Sequence, residues 1–129
     1  MNEGDLSDVS GLSTPLIIRG AYASAKELDL PPSPVCLDIG SGNGELIELL
    51  WKNLKAQTFA CDYVGGLMRA PNQKVEVVDL DRENLPYPDN KFDLITITEV
   101  VEHIRDFRKI IEEIHRCLKP GGGRSDYYS

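Results

Sequence analysis

Val35-Cys36-Leu37-Asp38-Ile39-Gly40-Ser41-Gly42-Asn43-Gly44-Glu45-Leu46 decides the fold. A short apolar run reads as a buried parallel strand, and it turns through three alternating glycines straight into a helix-forming sequence. At Gly40, Gly42 and Gly44 no Cβ stands between the main chain and a ligand. The helix that follows directs its unpaired N–H groups and positive dipole end at the same spot. Such a junction suits a small molecule, most naturally one with an anionic end. Two acids, Asp38 inside the strand and Asp62 further on, bear on which ligand that is.

A chain of 129 residues makes one small domain with a core of its own. Its 41% hydrophobic and 27% charged content is ordinary for a soluble globular protein. The net charge of −7 leaves no broad basic face for a phosphate backbone, so no nucleic-acid partner is expected. Arg105, Arg108 and Lys109 alternate with acids, as on a solvated helix face. No apolar run approaches the ~20 residues of a bilayer crossing, so no membrane insertion is expected. Residues Met1 to Ser10 are acidic and polar, unlike a secretory signal. Cys36, Cys61 and Cys117 are odd in number and far apart, two of them inside apolar runs. That pattern predicts buried reduced thiols, with no disulfide or metal site, and a reducing, cytoplasmic compartment.

Residues 1–13 are rich in Gly, Ser, Asn and Asp and read as a flexible lead-in. Leu16 to Leu28 has helical character, ended by Pro31-Pro32-Ser33-Pro34; it would pack on the sheet or lie over the ligand site as a lid. The spacing predicts strands at Val35–Ile39, Thr58–Cys61, Val75–Val78 and Phe92–Thr98. Helices are predicted from about Gly44 to Lys55, with Leu46, Ile47, Leu49, Leu50, Trp51 and Leu54 on a broad apolar face, and from about Ile104 to Leu118. Between Asp62 and Lys74 there is room only for a loop with a single turn. Strands alternating with helices imply right-handed crossovers and a mainly parallel sheet of order 3-2-1-4 in a three-layer α/β, Rossmann-like domain.

Spacing narrows the ligand. The dinucleotide fingerprint asks for a small residue where Glu45 stands, and no G-K-[ST] opens the helix as a P-loop requires. The pattern is D-x-G-x-G-x-G, with an acid two residues before the first glycine. A pyrophosphate would be repelled by Asp38, whereas a ligand carrying ammonium and sulfonium groups would be attracted to it.

On these residues the chain resembles the class I S-adenosylmethionine-dependent methyltransferases, from about Pro34 to Gly123. The first family motif is similar to Val35–Gly44, and the acid that holds both ribose hydroxyls matches Asp62. The stretch from Asp79 to Asp93 resembles the segment joining strands three and four, where an Asp meets the adenine amino group and the next backbone N–H meets the ring; Asp79 and Asp81 both fit. Glu99-Val100-Val101-Glu102-His103 resembles the segment after strand four. The resemblance thus implies S-adenosyl-L-methionine held by Asp38, Gly40, Ser41, Gly42, Gly44, Asp62, Tyr63, Asp79, Leu80, Asp81 and Glu99. It implies methyl transfer to a small-molecule, or saccharide- or lipid-linked, acceptor. Such chemistry needs positioning more than a nucleophile or metal. His103 is a candidate general base by its free pKa, though the plainer reading gives it one hydrogen bond near a helix start. Two other functions stay open: a non-catalytic S-adenosylmethionine-binding regulator or partner subunit, and a nicotinamide-dependent oxidoreductase, which Glu45 and Asp38 disfavour.

The family continues from the Gly121-Gly122-Gly123 turn into further strands, and here the chain reads Arg124 to Ser129. Hence residues 14–123 are expected to form the methyltransferase-like domain, truncated after the fourth strand and its helix, with 124–129 a disordered tail. Strand four is then expected to present a bare apolar edge, which would be covered in a homo-oligomer or by a missing C-terminal half.

Overall fold

A computed structural model of the chain describes residues 16–19, 30–97, 104–120 and 126–128. In chain order the elements are β1 (Leu16–Arg19), β2 (Val35–Ile39), α1 (Glu45–Leu54), β3 (Gln57–Asp62), β4 (Val75–Val77), β5 (Leu94–Ile97), α2 (Phe107–Cys117) and β6 (Asp126–Tyr128). The sheet runs β4-β3-β2-β5-β1-β6. Its first four strands are parallel and carry the expected 3-2-1-4 order, with Asp38 opposite Ala60 on one side and Thr96 on the other.

Alternation along β2 builds the layers. Cys36 packs with Leu46 and Leu50 of α1 and Leu94 of β5 on one face. Leu37 and Ile39 pack with Ile95, Ile97, Ile110 and Ile114 on the face covered by α2. Residues 63–74 contain no helix, as the short connection required, and Ala70 seals against Ile47 and Ala60. Trp51, expected on the apolar face of α1, is instead 50% exposed. All three cysteines are buried and free. No helix among the described residues is long and apolar enough to cross a membrane.

Three expectations are corrected at the far side of the sheet. Leu16–Arg19, read as the start of a helix, is a strand antiparallel to β5, with Leu16 opposite Ile97 and Arg19 opposite Leu94. The Leu16-Ile17-Ile18 run suits a pleated surface, and the open main-chain groups of β5 supply pairing that helical periodicity could not foresee. Residues 20–29, the rest of that predicted helix, lie outside the described residues. The bare edge on strand four is therefore covered within the chain, and the sheet does not call for an oligomer or a missing half to cover it. Residues 126–128, placed in the tail, form β6 against β1.

Helix α2 begins at Phe107, later than expected, because Asp106 caps it: its carboxylate accepts the Arg108 N–H at 3.0 Å. Phe107, at that first turn, is 44% exposed. Further along, Glu113 accepts the Leu85 N–H at 2.8 Å and two bonds from Arg116, whose guanidinium also reaches the Leu85 and Tyr87 carbonyls. These bonds stitch α2 to the connection before β5. The Arg116 guanidinium holds the nearly buried Glu113 carboxyl below its ordinary value of 4.5. A depressed folded pKa contributes stability at neutral pH that is lost as pH falls through it. Urea melts from about pH 6 to about pH 3 should therefore show the stability gap between wild type and Glu113→Gln narrowing; a constant gap would exclude this linkage.

Candidate functional site

The carboxyl ends of β2, β3 and β4 meet at one place, where ligands of open α/β sheets bind. Gly40, Gly42 and Gly44 all have positive φ, at 78°, 52° and 89°, so the turn follows a path that side-chain-bearing residues resist. The Cys61 carbonyl, next to the last residue of β3, accepts the N–H groups of Gly40 at 2.8 Å and Ser41 at 3.2 Å. Asp62, the last residue of β3, accepts the Gly42 N–H at 2.8 Å and the Val64 N–H at 3.3 Å. The glycine turn and the end of β3 are thus one hydrogen-bonded unit.

Asp38 is fully buried beneath this turn, and its Oδ1 accepts the Thr96 hydroxyl at 2.7 Å. A polar group held in the interior requires such a partner. Burial pushes the Cys61 thiol up, with the Asp38 and Asp62 carboxylates adding to it, so this cysteine is no nucleophile. Ser41 Oγ is buried with no hydrogen-bond partner among the described residues.

Asp79 follows β4 by two residues and closes a turn: its N–H donates to Glu83 Oε1 at 2.8 Å, and its carbonyl accepts from Arg82 and Glu83. Leu80 is 5% exposed, with its side chain in the core, so it could offer a ligand only its main chain. The Asp81 N–H donates to Asp79 Oδ1 at 3.1 Å, and its own carboxylate accepts the N–H groups of Arg105 and Asp106. Tyr63 is half exposed beside Asp62. Glu99 and His103 lie outside the described residues.

Three contributors were not singled out from sequence. Thr96 steadies Asp38, and a polar residue inside the buried run Leu94–Ile97 is the signal that marks it. Asn43 accepts the Glu45 N–H at 3.1 Å, and its carbonyl accepts from Arg69. Met68 closes on Gly44, where an added Cβ would stand 2.4 Å from its sulfur. The last two are loop contacts with no periodicity to reveal them. A cavity of about 660 Å³ edged by Trp51, Pro71, Phe59 and Tyr87 lies elsewhere, beside the residues that lead into β3, β4 and β5.

A family model described as a methyltransferase domain matches residues 37–123, which runs from within β2 through α2 and takes in every carboxylate above. The chain belongs to this methyltransferase family. The family generally binds S-adenosylmethionine. Demethylmenaquinone methyltransferase of Corynebacterium urealyticum is 37% identical over 98 residues, 75% of this chain and 42% of that protein. The mitochondrial arginine-hydroxylase NDUFAF5 of Rattus norvegicus is 33% identical over 92 residues, 69% of this chain and 27% of that protein. A Haloferax volcanii methyltransferase, solved in complex with the Trm112 methyltransferase activator, shares the fold at a TM-score of 0.63 and 23% identity, over 74% of this chain and 45% of that one. The chain thus spans less than half the length of each of these three relatives.

The residues of this methyltransferase-family site fit the cofactor. The donor set is acidic, as a cationic sulfonium and ammonium require, and Asp62 retains acceptor capacity because two carboxylate oxygens offer about four lone-pair sites.

Proposed function

We propose that this chain binds S-adenosylmethionine across the carboxyl ends of β2, β3 and β4 and serves methyl transfer to a small-molecule, or saccharide- or lipid-linked, acceptor. The observation that supports the reading most is the 2.8 Å bond from the Gly42 N–H to Asp62, which ties the glycine turn to the acid we assign to the ribose. When bound, the cofactor supplies a methyl group already activated on a sulfonium. The chain's own part is then placement. Asp62 receives the ribose hydroxyls, Asp38 supplies negative potential beneath the turn, and the N-terminus of α1 faces the cofactor carboxylate. Asp79 and the Leu80 main chain take the adenine edge, with Tyr63 beside it. Glu99 is assigned to the same site on its family resemblance alone, and His103 stays a candidate general base by its free pKa, beside the plainer reading of one hydrogen bond near a helix start.

The name of the Corynebacterium relative favours a lipophilic small molecule as acceptor. The arginine-hydroxylase relative favours a second reading, in which the same cradle serves other chemistry. The activator-bound structural neighbour favours a third, in which this chain works with a protein partner. Calorimetry with S-adenosylmethionine, S-adenosylhomocysteine and NAD, followed by transfer of a labelled methyl group to an acceptor panel, separates these. Binding with turnover is the expected result. Binding without turnover on any acceptor would support the partner or non-methylating readings. Retention of NAD with no affinity for S-adenosylhomocysteine would overturn the cofactor assignment.

A further inference from the structure

We propose that the cavity beside the first residues of β3 is a second ligand site, which takes a flat aromatic molecule carrying one negative charge. It is independent of the cofactor cleft at the other end of the strands.

The cavity measures about 660 Å³, a size typical of small-molecule sites. Its walls are aromatic and already fixed. Phe59 and Tyr87 line it, and together with Phe92 they lock edge to face, with ring centroids 5.1, 5.6 and 6.0 Å apart. The Tyr87 hydroxyl also donates to the Ala60 carbonyl at 3.4 Å. From α1 comes Trp51, whose half-exposed indole is a broad flat surface with apolar faces. Walls that stand before a ligand arrives spare the cost of ordering them on binding.

Charge selects among flat ligands. The charged side chains that line the cavity are Lys74, Glu76 and Lys91. Lys74 and Glu76 pair with each other at 3.2 Å, so their charges offset. Lys91 pairs with no carboxylate among the described residues. Its ammonium rests instead over the Phe59 ring, 4.4 Å from the centroid. The ring's quadrupole holds this cation at the wall without neutralising it. An anion that reaches it inside an apolar recess is attracted more strongly than in open water.

The place of the cavity separates it from the proposed methyl transfer. Thr58, which lines it, stands four positions before Asp62 in β3, about 13 Å at the rise of a strand. Its floor is Ile47, Ala60 and Ala70, which are buried and packed together. A molecule bound there is therefore not the methyl acceptor of the glycine-turn site.

The test is a heteronuclear NMR titration of the chain with 2-naphthoate and with 2-naphthol, which is similar in size but uncharged at neutral pH. Trp51 is the chain's single tryptophan, so one indole N–H resonance reports on this cavity. 2-Naphthoate should move that resonance saturably and bind at least about threefold more tightly than 2-naphthol. Lys91→Gln should weaken 2-naphthoate about fivefold and leave 2-naphthol within about twofold, whereas Lys91→Arg should keep the preference for the carboxylate. Saturating S-adenosylhomocysteine should leave 2-naphthoate affinity within about twofold. The proposal is overturned if the indole resonance does not respond up to ~5 mM 2-naphthoate, if wild type shows no preference for the carboxylate, or if Lys91→Gln retains it. Competition by S-adenosylhomocysteine would place the probe in the cofactor cleft and overturn it too. If Lys91→Gln does not fold, the preference of wild type decides, its presence supporting the site and its absence excluding it. If S-adenosylhomocysteine itself does not bind, the cofactor reading fails, and the Trp51 and Lys91 readouts still judge the cavity.

Discussion

Asp62→Ala should weaken S-adenosylhomocysteine binding roughly 30- to 150-fold, or about 2–3 kcal/mol. The carboxylate has two tasks. It accepts the Gly42 and Val64 N–H groups in the structure, and in the proposed complex it also accepts two ribose hydroxyls. Hydrogen bonds to a charged group are worth about 1.5–3 kcal/mol each, and the ribose pair does not gain the full sum because water competes in the free protein. Asp62→Asn separates the tasks. Its amide oxygen still receives the Gly42 N–H, so the turn keeps its anchor while the charged acceptor for the ribose is gone. It should fall between wild type and alanine, with a melting temperature near wild type. Affinity of Asp62→Ala within about threefold of wild type would remove the residue from the site. This variant does not discriminate among ribose-containing ligands, because an acid in this place also serves dinucleotides. Discrimination is expected from Asp38, which lies fully buried beneath the turn: an ionised carboxylate there would oppose a pyrophosphate and favour a cation.

The parallel half of the sheet was legible because its signals are strong and local. Val35–Ile39 is a short apolar run ending in glycine, and Glu45–Leu54 repeats its apolar residues at helical spacing. Both came out within a residue or two of expectation. β1 was not legible as a strand, because four residues carry too little periodicity and the nine that follow, to Leu28, read as helix. Only the tertiary context, the open side of β5, makes a strand of Leu16–Arg19. Phe92 is a boundary case of the same kind. Its alternation continues into β5, yet it forms an isolated bridge to Leu118 ahead of the strand, because the end of α2 occupies its neighbouring main-chain groups. At the candidate site, Asp38, Asp62 and the glycines stand out in the sequence by type and spacing, and the ends of β2 and β3 bring them together. The division of labour between Asp79 and Asp81 was not legible, since it depends on which amides of a distant segment come within reach.

Gly44→Ala should lower stability by about 2–3 kcal/mol, a fall in melting temperature of roughly 8–12 °C for a domain of this size. Two costs combine. Gly44 sits at φ +89°, where an alanine Cβ is strained by about 1–2 kcal/mol. The added Cβ would also stand 2.4 Å from the Met68 sulfur and 3.1 Å from Ala70 Cβ. The sulfur lies toward the end of a flexible side chain that can swing aside, whereas the Ala70 methyl is fixed to the backbone and buried. Backbone strain and the Ala70 contact should therefore dominate. On that account Gly44→Ala/Met68→Ala recovers only a minor part of the loss beyond the effect of Met68→Ala alone, whereas recovery of more than half would assign the cost to the methionine. A Gly44→Ala melting temperature within about 2 °C of wild type would contradict both costs. Because Gly44 also accepts the first α1 hydrogen bond, from the Glu48 N–H at 2.9 Å, the strain falls on the junction that would aim the helix N-terminus at the proposed cofactor. Weakened S-adenosylhomocysteine binding should accompany the lost stability, measured well below the melting temperature so that unfolding does not mimic it.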